Sequence, residues 1–204
     1  MAELDYRLEQ AWIDRGFSLV CGVDEAGRGP LCGPVVAAAV ILPTGLVIDG
    51  LNDSKKLTEK KREKLFDVIC SEAIAYAIAE ASVEEINETN ILEATLLAMR
   101  RAILSLPISP SAALIDGNIS RDFPLPVEAV IHGDAISPSI AAASILAKVT
   151  RDRLCVELHQ KYPQYGILKH KGYGTKEHME ALRVHGPSPI HRTKFIRFLE
   201  GGSK

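Results

Sequence analysis

Apolar positions in this chain fall in short continuous runs, and each run stops at a polar or glycine-containing turn. Residues 17–23 and 33–42 form the first two runs. Their length predicts buried strands, and the short link between them predicts an antiparallel hairpin. Residues 46–57 read as a loop carrying Asn52-Asp53-Ser54-Lys55-Lys56, after which Thr58 caps a helix reaching about Ser71. In residues 73–81, Ile74, Tyr76 and Ile78 alternate with alanines, predicting a third strand. Ser82-x-x-Glu85 has the form of a capping box and opens a short helix. Thr89 or Asn90 starts a longer helix, with Ile91, Ala94, Leu97, Ala98, Arg101 and Leu104 at helical spacing, and Pro107 and Pro110 end it. Two further strands, 112–115 and 126–132, stop at Asp116-Gly117-Asn118 and Gly133-Asp134. Ser137-Pro138 begins a long helix to about Lys161. A Gly- and Tyr-rich loop (162–175), a helix (176–184) and a short terminal helix after Thr193 complete the chain.

This order predicts an α/β fold, a mixed five-stranded sheet flanked by helices. The domain expectation is an N-terminal extension over residues 1–15 and one domain over 16–200, whose last part, 162–200, is basic and helical. Composition agrees with a globular domain: of 204 residues, 47% are apolar and 25% charged, enough for a substantial core. No apolar run reaches the length of a membrane span, and the charged start does not read as a secretory signal. Cys21, Cys32, Cys70 and Cys155 lack paired metal-ligand spacing, and three of them lie among apolar neighbours. Buried reduced thiols and a cytoplasmic location are expected. A monomer is the default expectation, with no membrane partner.

Net charge is −2, which alone argues against a polyanion partner, but the charge is unevenly spread. Residues 1–147 hold 12 Lys/Arg against 21 Asp/Glu, whereas residues 148–197 hold 11 against 4, with five histidines. A basic last quarter is the electrostatic footprint of a polyanion, although a solvated basic helix face would give the same composition.

Candidate chemistry concentrates where strands end on acids: Asp24-Glu25, Asp116 and Asp134. Adjacent like charges at the end of a buried strand need a neutralising partner, and hard divalent cations prefer oxygen ligands. If the strand ends share one side of the sheet, four carboxylates converge where α/β sheets bind ligands. Such a set suits two divalent ions roughly 4 Å apart, with Asp24, on the expected middle strand, as the central and bridging ligand. Asp134 can be read as a ligand or as the cap of the following helix; His132 reads as an ordinary polar contact. Gly27-Arg28-Gly29 exposes backbone donors beside a planar guanidinium suited to phosphate. Lys55 and Lys56 beside Ser54, and Lys148 and Arg151 three apart on one helix face, extend the candidate phosphate contacts. Tyr173, within His170-Lys171-Gly172-Tyr173-Gly174-Thr175, could stack on a base or sugar, or pack in a turn.

These residues together resemble one family. Gly22-Val23-Asp24-Glu25-Ala26-Gly27-Arg28-Gly29-Pro30 is similar to the signature of ribonuclease HII, the type 2 ribonuclease H. Asn52-Asp53-Ser54-Lys55-Lys56-Leu57, Ile115-Asp116-Gly117-Asn118, Gly133-Asp134, the stretch from Ala142 to Asp152 and His170-Lys171-Gly172-Tyr173 match in the family's order. The resemblance spans about Phe17 to Phe195. It implies a ribonuclease H-like fold with a helical C-terminal part, dependence on Mn²⁺ or Mg²⁺, and endonucleolytic cleavage of the RNA strand of RNA–DNA hybrids. It also implies incision 5′ of single ribonucleotides embedded in duplex DNA, leaving 3′-hydroxyl and 5′-phosphate ends. By the same resemblance Asp24, Glu25, Asp116 and Asp134 are the metal ligands. Gly27, Arg28 and Gly29 read the ribose 2′-hydroxyl and its neighbouring phosphates. Tyr173 stacks on the sugar after the ribonucleotide, and Lys55, Lys148 and Arg151 contribute to the phosphate environment. Two other readings are a 3′–5′ exonuclease with an acid quartet and a non-catalytic hybrid-binding module. The Gly-Arg-Gly loop with Tyr173 argues against the first, and four acids facing phosphates argue against the second.

Overall fold

In the computed structural model, which describes residues 4–199, the central strand is β1 (Val20–Ala26). It pairs antiparallel with β2 (Val35–Ile41), which pairs antiparallel with β3 (Ala75–Ala81). On its other edge β1 pairs parallel with β4 (Ala112–Asp116), and β4 pairs parallel with β5 (Val127–Val130). The sheet order is therefore β3-β2-β1-β4-β5, the mixed five-stranded sheet expected.

Helices cover both faces, which is why β2 reads as an unbroken apolar run: every one of its residues is buried. Val35, Ala37, Ala39 and Ile41 pack into the same core as Ala94, Ala98, Met99 and Ala102 of helix α4 (Ile91–Leu104). Ala38 and Val40 face the opposite core, with Ala142, Ala143, Leu146 and Val149 of helix α5 (Pro138–Lys161) and Leu65 and Ile69 of α2 (Glu59–Glu72). Small residues let α5 lie close to the sheet. A Cβ on Gly22 would run into the backbone of Ser139 and Ile140, so only glycine fits where strand and helix touch.

Helix starts follow the sequence. Thr58 accepts from Lys61 N, Ser82 and Glu85 close a capping box on α3 (Val83–Glu88), and Asn90 caps α4. Ser137 caps α5 by accepting from Ile140 N. Asp134 is thus not the cap of that helix.

Several boundaries differ. Strand β1 is shifted from 17–23 to Val20–Ala26, so Asp24 and Glu25 lie inside the strand, opposite Ala38 and Ala37. Continued pairing with β2 carries the two acids into the ladder. Phe17 instead closes a turn, donating its N–H to Trp12 O and packing edge-on against the Trp12 ring. The fifth strand ends at Val130, because His132 turns left-handed (φ 57°) and leads into a single 3₁₀ turn, Gly133–Ala135. The loop at 162–175 contains a short helix, α6 (Ile167–His170), and the terminal helix is two 3₁₀ turns, Thr193–Phe195 and Arg197–Leu199. Helix α7 (Lys176–His185) lies where expected.

Residues assigned from sequence to an N-terminal extension include helix α1 (Arg7–Asp14), which docks on the sheet. Trp12 is buried and its indole N–H donates to Glu128 at 2.8 Å, while Ser137 Oγ donates to the buried Glu9 at 2.6 Å. Residues 1–3 and 200–204 lie outside the described residues, the last residue of the expected domain among them. Among the described residues no helix is long and apolar enough to cross a membrane.

Candidate active site

Register decides which acids meet. Val23 pairs with Ile115, so one step further along the parallel strands Asp24 and Asp116 lie side by side. Successive strand residues face opposite sides, so Asp24 and Glu25 diverge. Asp24 turns to the α5 face, and Glu25 turns toward α4, where it accepts from Arg28 at 3.4 Å. Asp134 reaches Asp24 and Asp116 from the 3₁₀ turn, not from a strand end. Gly133 N–H donates to Asp116 Oδ1 at 2.7 Å and ties that turn to β4.

One carboxylate oxygen from each of Asp24, Asp116 and Asp134 lies within 4.8 Å of the others. Glu25 is outside this trio but lines the same cleft of about 190 Å³. Burial, then the charges of Glu25 and Asp116, push Asp24 well above the usual carboxylate range. Burial also raises Glu25, with Arg28 opposing, and raises Asp134, where Asp116 adds and Lys55 opposes. Lys55 Nζ, 3.3 Å from Asp134, is the nearest compensating cation. Burial pulls the Lys55 ammonium down, but Asp134 and Asp24 outweigh it and hold it above the ordinary lysine value. The protein thus leaves its carboxylates under-compensated. Hard oxygen donors, crowded together and short of positive charge, fit a divalent ion.

Lys55 is delivered by a braced turn. Asp53 accepts from Lys55 N, and the buried Ser54 hydroxyl bonds to Ser144 on α5 at 2.7 Å. Ser54 is therefore an anchor within the fold, and Lys56 pairs with Asp53. Lys148 lines the cleft and donates to Asp152 at 2.6 Å, whose other oxygen faces Arg62.

Gly27, Arg28, Gly29 and Tyr173 line the same cleft as Asp24, Glu25 and Asp116. The Tyr173 ring is about half exposed, and its Cε1 would lie 3.2 Å from a Cβ on Gly29. Its backbone is fixed from both sides: Tyr173 N–H donates to His170 O, and its carbonyl faces His178 Nδ1 at 3.0 Å. Arg151 is almost fully buried. It lines the cleft and donates to Lys171 O and Cys32 O, so it also braces two loops. Its Nε alone lacks a partner and abuts Gly27.

Beneath Tyr173, His178 Nε2 and His191 Nε2 are 3.2 Å apart, and Cys32 lies beside them. Because His178 Nδ1 faces a carbonyl, it carries the proton, and His191 donates to His178. Burial lowers both imidazoles, His191 to about 4. Neither this pair nor Arg192, buried among loop carbonyls, carries a local spacing signal in the sequence.

A mixed sheet with acids on its two central parallel strands, covered by helices on both faces, defines a ribonuclease H-like nuclease. Solved structures carry the same architecture. A ribonuclease H2 from Pyrococcus horikoshii superposes with TM-score 0.74 at 31% identity, covering 90% of this chain and 97% of its own. A ribonuclease HII from Archaeoglobus fulgidus, solved in complex with PCNA, gives 0.71 at 28% identity over 87% and 95%. The family model described as Ribonuclease HII matches residues 21–198. A ribonuclease HII from Acidovorax sp. (strain JS42) is 60% identical over 189 residues, 92% of this chain and 90% of the relative. One from Burkholderia thailandensis is 60% identical over 183 residues, 90% and 86% respectively. The chain belongs to the ribonuclease HII family. It is a ribonuclease H, a divalent-metal-dependent hydrolase acting on RNA–DNA hybrids.

Proposed function

We propose that Asp24, Glu25, Asp116 and Asp134 hold two divalent ions, Mn²⁺ or Mg²⁺, and that the enzyme also incises duplex DNA on the 5′ side of a single embedded ribonucleotide. The observation that carries this reading is that Asp24 and Asp116, clustered with Asp134, line one cleft together with Gly27–Gly29 and Tyr173. When bound, the ions would acidify the attacking water and neutralise the departing oxygen.

The protein's own residues do the selecting. Gly27 and Gly29 lack side chains, so a ribose can approach the backbone, whose polar groups can bond the 2′-hydroxyl without contacting the base. Sequence preference is then weak. Arg28 stands at the rim for a phosphate, and Lys55 and Lys148 add positive charge along the strand path. The Tyr173 ring stacks on the following sugar and senses the change from RNA to DNA. Water adds to phosphorus as the P–O3′ bond breaks. The upstream nucleotide leaves as a 3′-hydroxyl after gaining a proton, and the ribonucleotide keeps a 5′-phosphate. A cytoplasmic location fits the four unpaired thiols, three of them buried.

The test is cleavage of a DNA duplex carrying one ribonucleotide, with Mg²⁺, Mn²⁺ or EDTA, beside an all-DNA control. Metal-dependent cutting confined to the 5′ side of the ribonucleotide is expected. Cutting only of long hybrid tracts would discard the single-ribonucleotide reading.

A further inference from the structure

Arg192 is fully buried, and each of its five guanidinium N–H groups is aimed at a different backbone carbonyl of one loop. Nε donates to Gly33 O at 3.0 Å, Nη1 to Arg28 O at 2.9 Å and Pro30 O at 2.8 Å, and Nη2 to Gly27 O at 2.6 Å and Pro34 O at 3.2 Å. Its own N–H donates to Leu31 O, and Gly33 N–H donates to Ile190 O, so residues 190–192 strap the loop along its length. Among the described residues the one other side chain that donates to a carbonyl of this loop is Arg151, with a single bond to Cys32 O.

A planar trans peptide directs its C=O and N–H to opposite sides. With the Gly27 and Arg28 carbonyls drawn inward to Arg192, the N–H groups of Arg28 and Gly29 must face outward, toward the cleft these residues line. Neither N–H has an acceptor among the described residues.

We propose that Arg192 is a positioning residue for substrate recognition. It fixes the Gly27–Gly29 backbone so that the Arg28 and Gly29 N–H groups form a two-donor cradle for oxygens of the ribose and its adjoining phosphate. This rests on the proposed reading of the Gly27–Gly29 wall and supplies its mechanism. Lysine can keep the charge but donates three bonds from a point, not five from a plane, so R192K loses the cradle while retaining the buried cation.

The experiment compares wild type, R192K, and R192A with and without methylguanidinium. Binding is measured to a single-ribonucleotide duplex and to an all-DNA duplex in Ca²⁺. Fold is followed by circular dichroism, and metal binding by the melting shift Mn²⁺ induces. For R192K, fold and Mn²⁺ shift stay as in wild type, while the ribonucleotide-over-DNA preference falls about tenfold, the loss of one or two hydrogen bonds. Methylguanidinium restores preference to R192A. An R192K preference equal to wild type overturns the proposal, and so does loss of the Mn²⁺ shift in step with preference. Should the variants not fold, hydrogen exchange on wild type decides: the Arg28 and Gly29 amides become protected on binding the ribonucleotide duplex, and unchanged exchange overturns the cradle. A wild-type enzyme with no ribonucleotide preference would instead refute the proposed function, whatever Arg192 does.

Discussion

A side chain at Gly27 and the guanidinium of Arg151 would claim the same space: a Cβ built on Gly27 overlaps Arg151 Nε and Cδ. Gly27 also sits at φ 99°, a conformation L side chains rarely adopt. Arg151 cannot yield, because its terminal nitrogens hold Lys171 O and Cys32 O. Gly27→Ala is expected to destabilise by about 1–3 kcal/mol and to reduce cleavage more than tenfold. Urea unfolding and initial rates check this; an unchanged rate would show that the loop has slack.

Asp24→Asn is expected to abolish cleavage and yet stabilise the metal-free protein. A carboxyl raised above its ordinary value of 3.8 binds its proton more tightly in the folded state. Metal-free stability therefore falls as pH rises from about 4 through the folded value. Removing that charge should raise the melting temperature at pH 7.5 by roughly 2–4 °C, the equivalent of about 1 kcal/mol, with the gain shrinking toward pH 4. Melting curves across pH in EDTA measure it, and a destabilised variant would contradict the electrostatic account.

Tyr173→Ala should impair incision at a single ribonucleotide about tenfold more than cutting within a long hybrid tract, in line with the worth of one stacking contact. The ring is half exposed, and the hydrogen bonds at this position come from its backbone, so the fold should be preserved. Equal losses on both substrates, read from kcat/KM, would remove the junction role.

The His178–His191 pair predicts acid lability of the opposite sign to Asp24. His191 is lowered from 6.5 to about 4 by burial and the neighbouring His178, so the unfolded chain binds the extra proton between those values. Stability from this pair is full above about pH 6.5 and is lost as pH falls toward 4. Urea midpoints at pH 7.5 and 5.0, taken in the Asp24→Asn background to remove the opposing contribution of Asp24, should fall with pH. His191→Gln should flatten that slope.

Much of this was legible in the chain. The hairpin of β1 and β2, the caps at Thr58, Ser82, Asn90 and Ser137, and the approach of strands ending on Asp24 and Asp116 follow from local patterns. The divergence of Asp24 and Glu25 did not, because the apolar run ends at Val23 while the ladder continues for three more residues. Asp134 reads in the sequence as a ligand just past a strand end or as a helix cap; the left-handed His132 leads it into a 3₁₀ turn within the cluster, and Ser137 does the capping.

The sequence by itself determined the alternation of buried strands and helices, the presence of acids where strands finish, and the side-chain-free turn at Gly27–Gly29. Burial periodicity, capping and glycine conformation act over a few residues and are written locally. Tertiary structure alone decided that Arg192 clamps a loop about 160 positions earlier and that Arg151 braces it against the Tyr173 segment. Those contacts exist because buried carbonyls and guanidinium groups must satisfy each other once the chain closes, a demand no local pattern records.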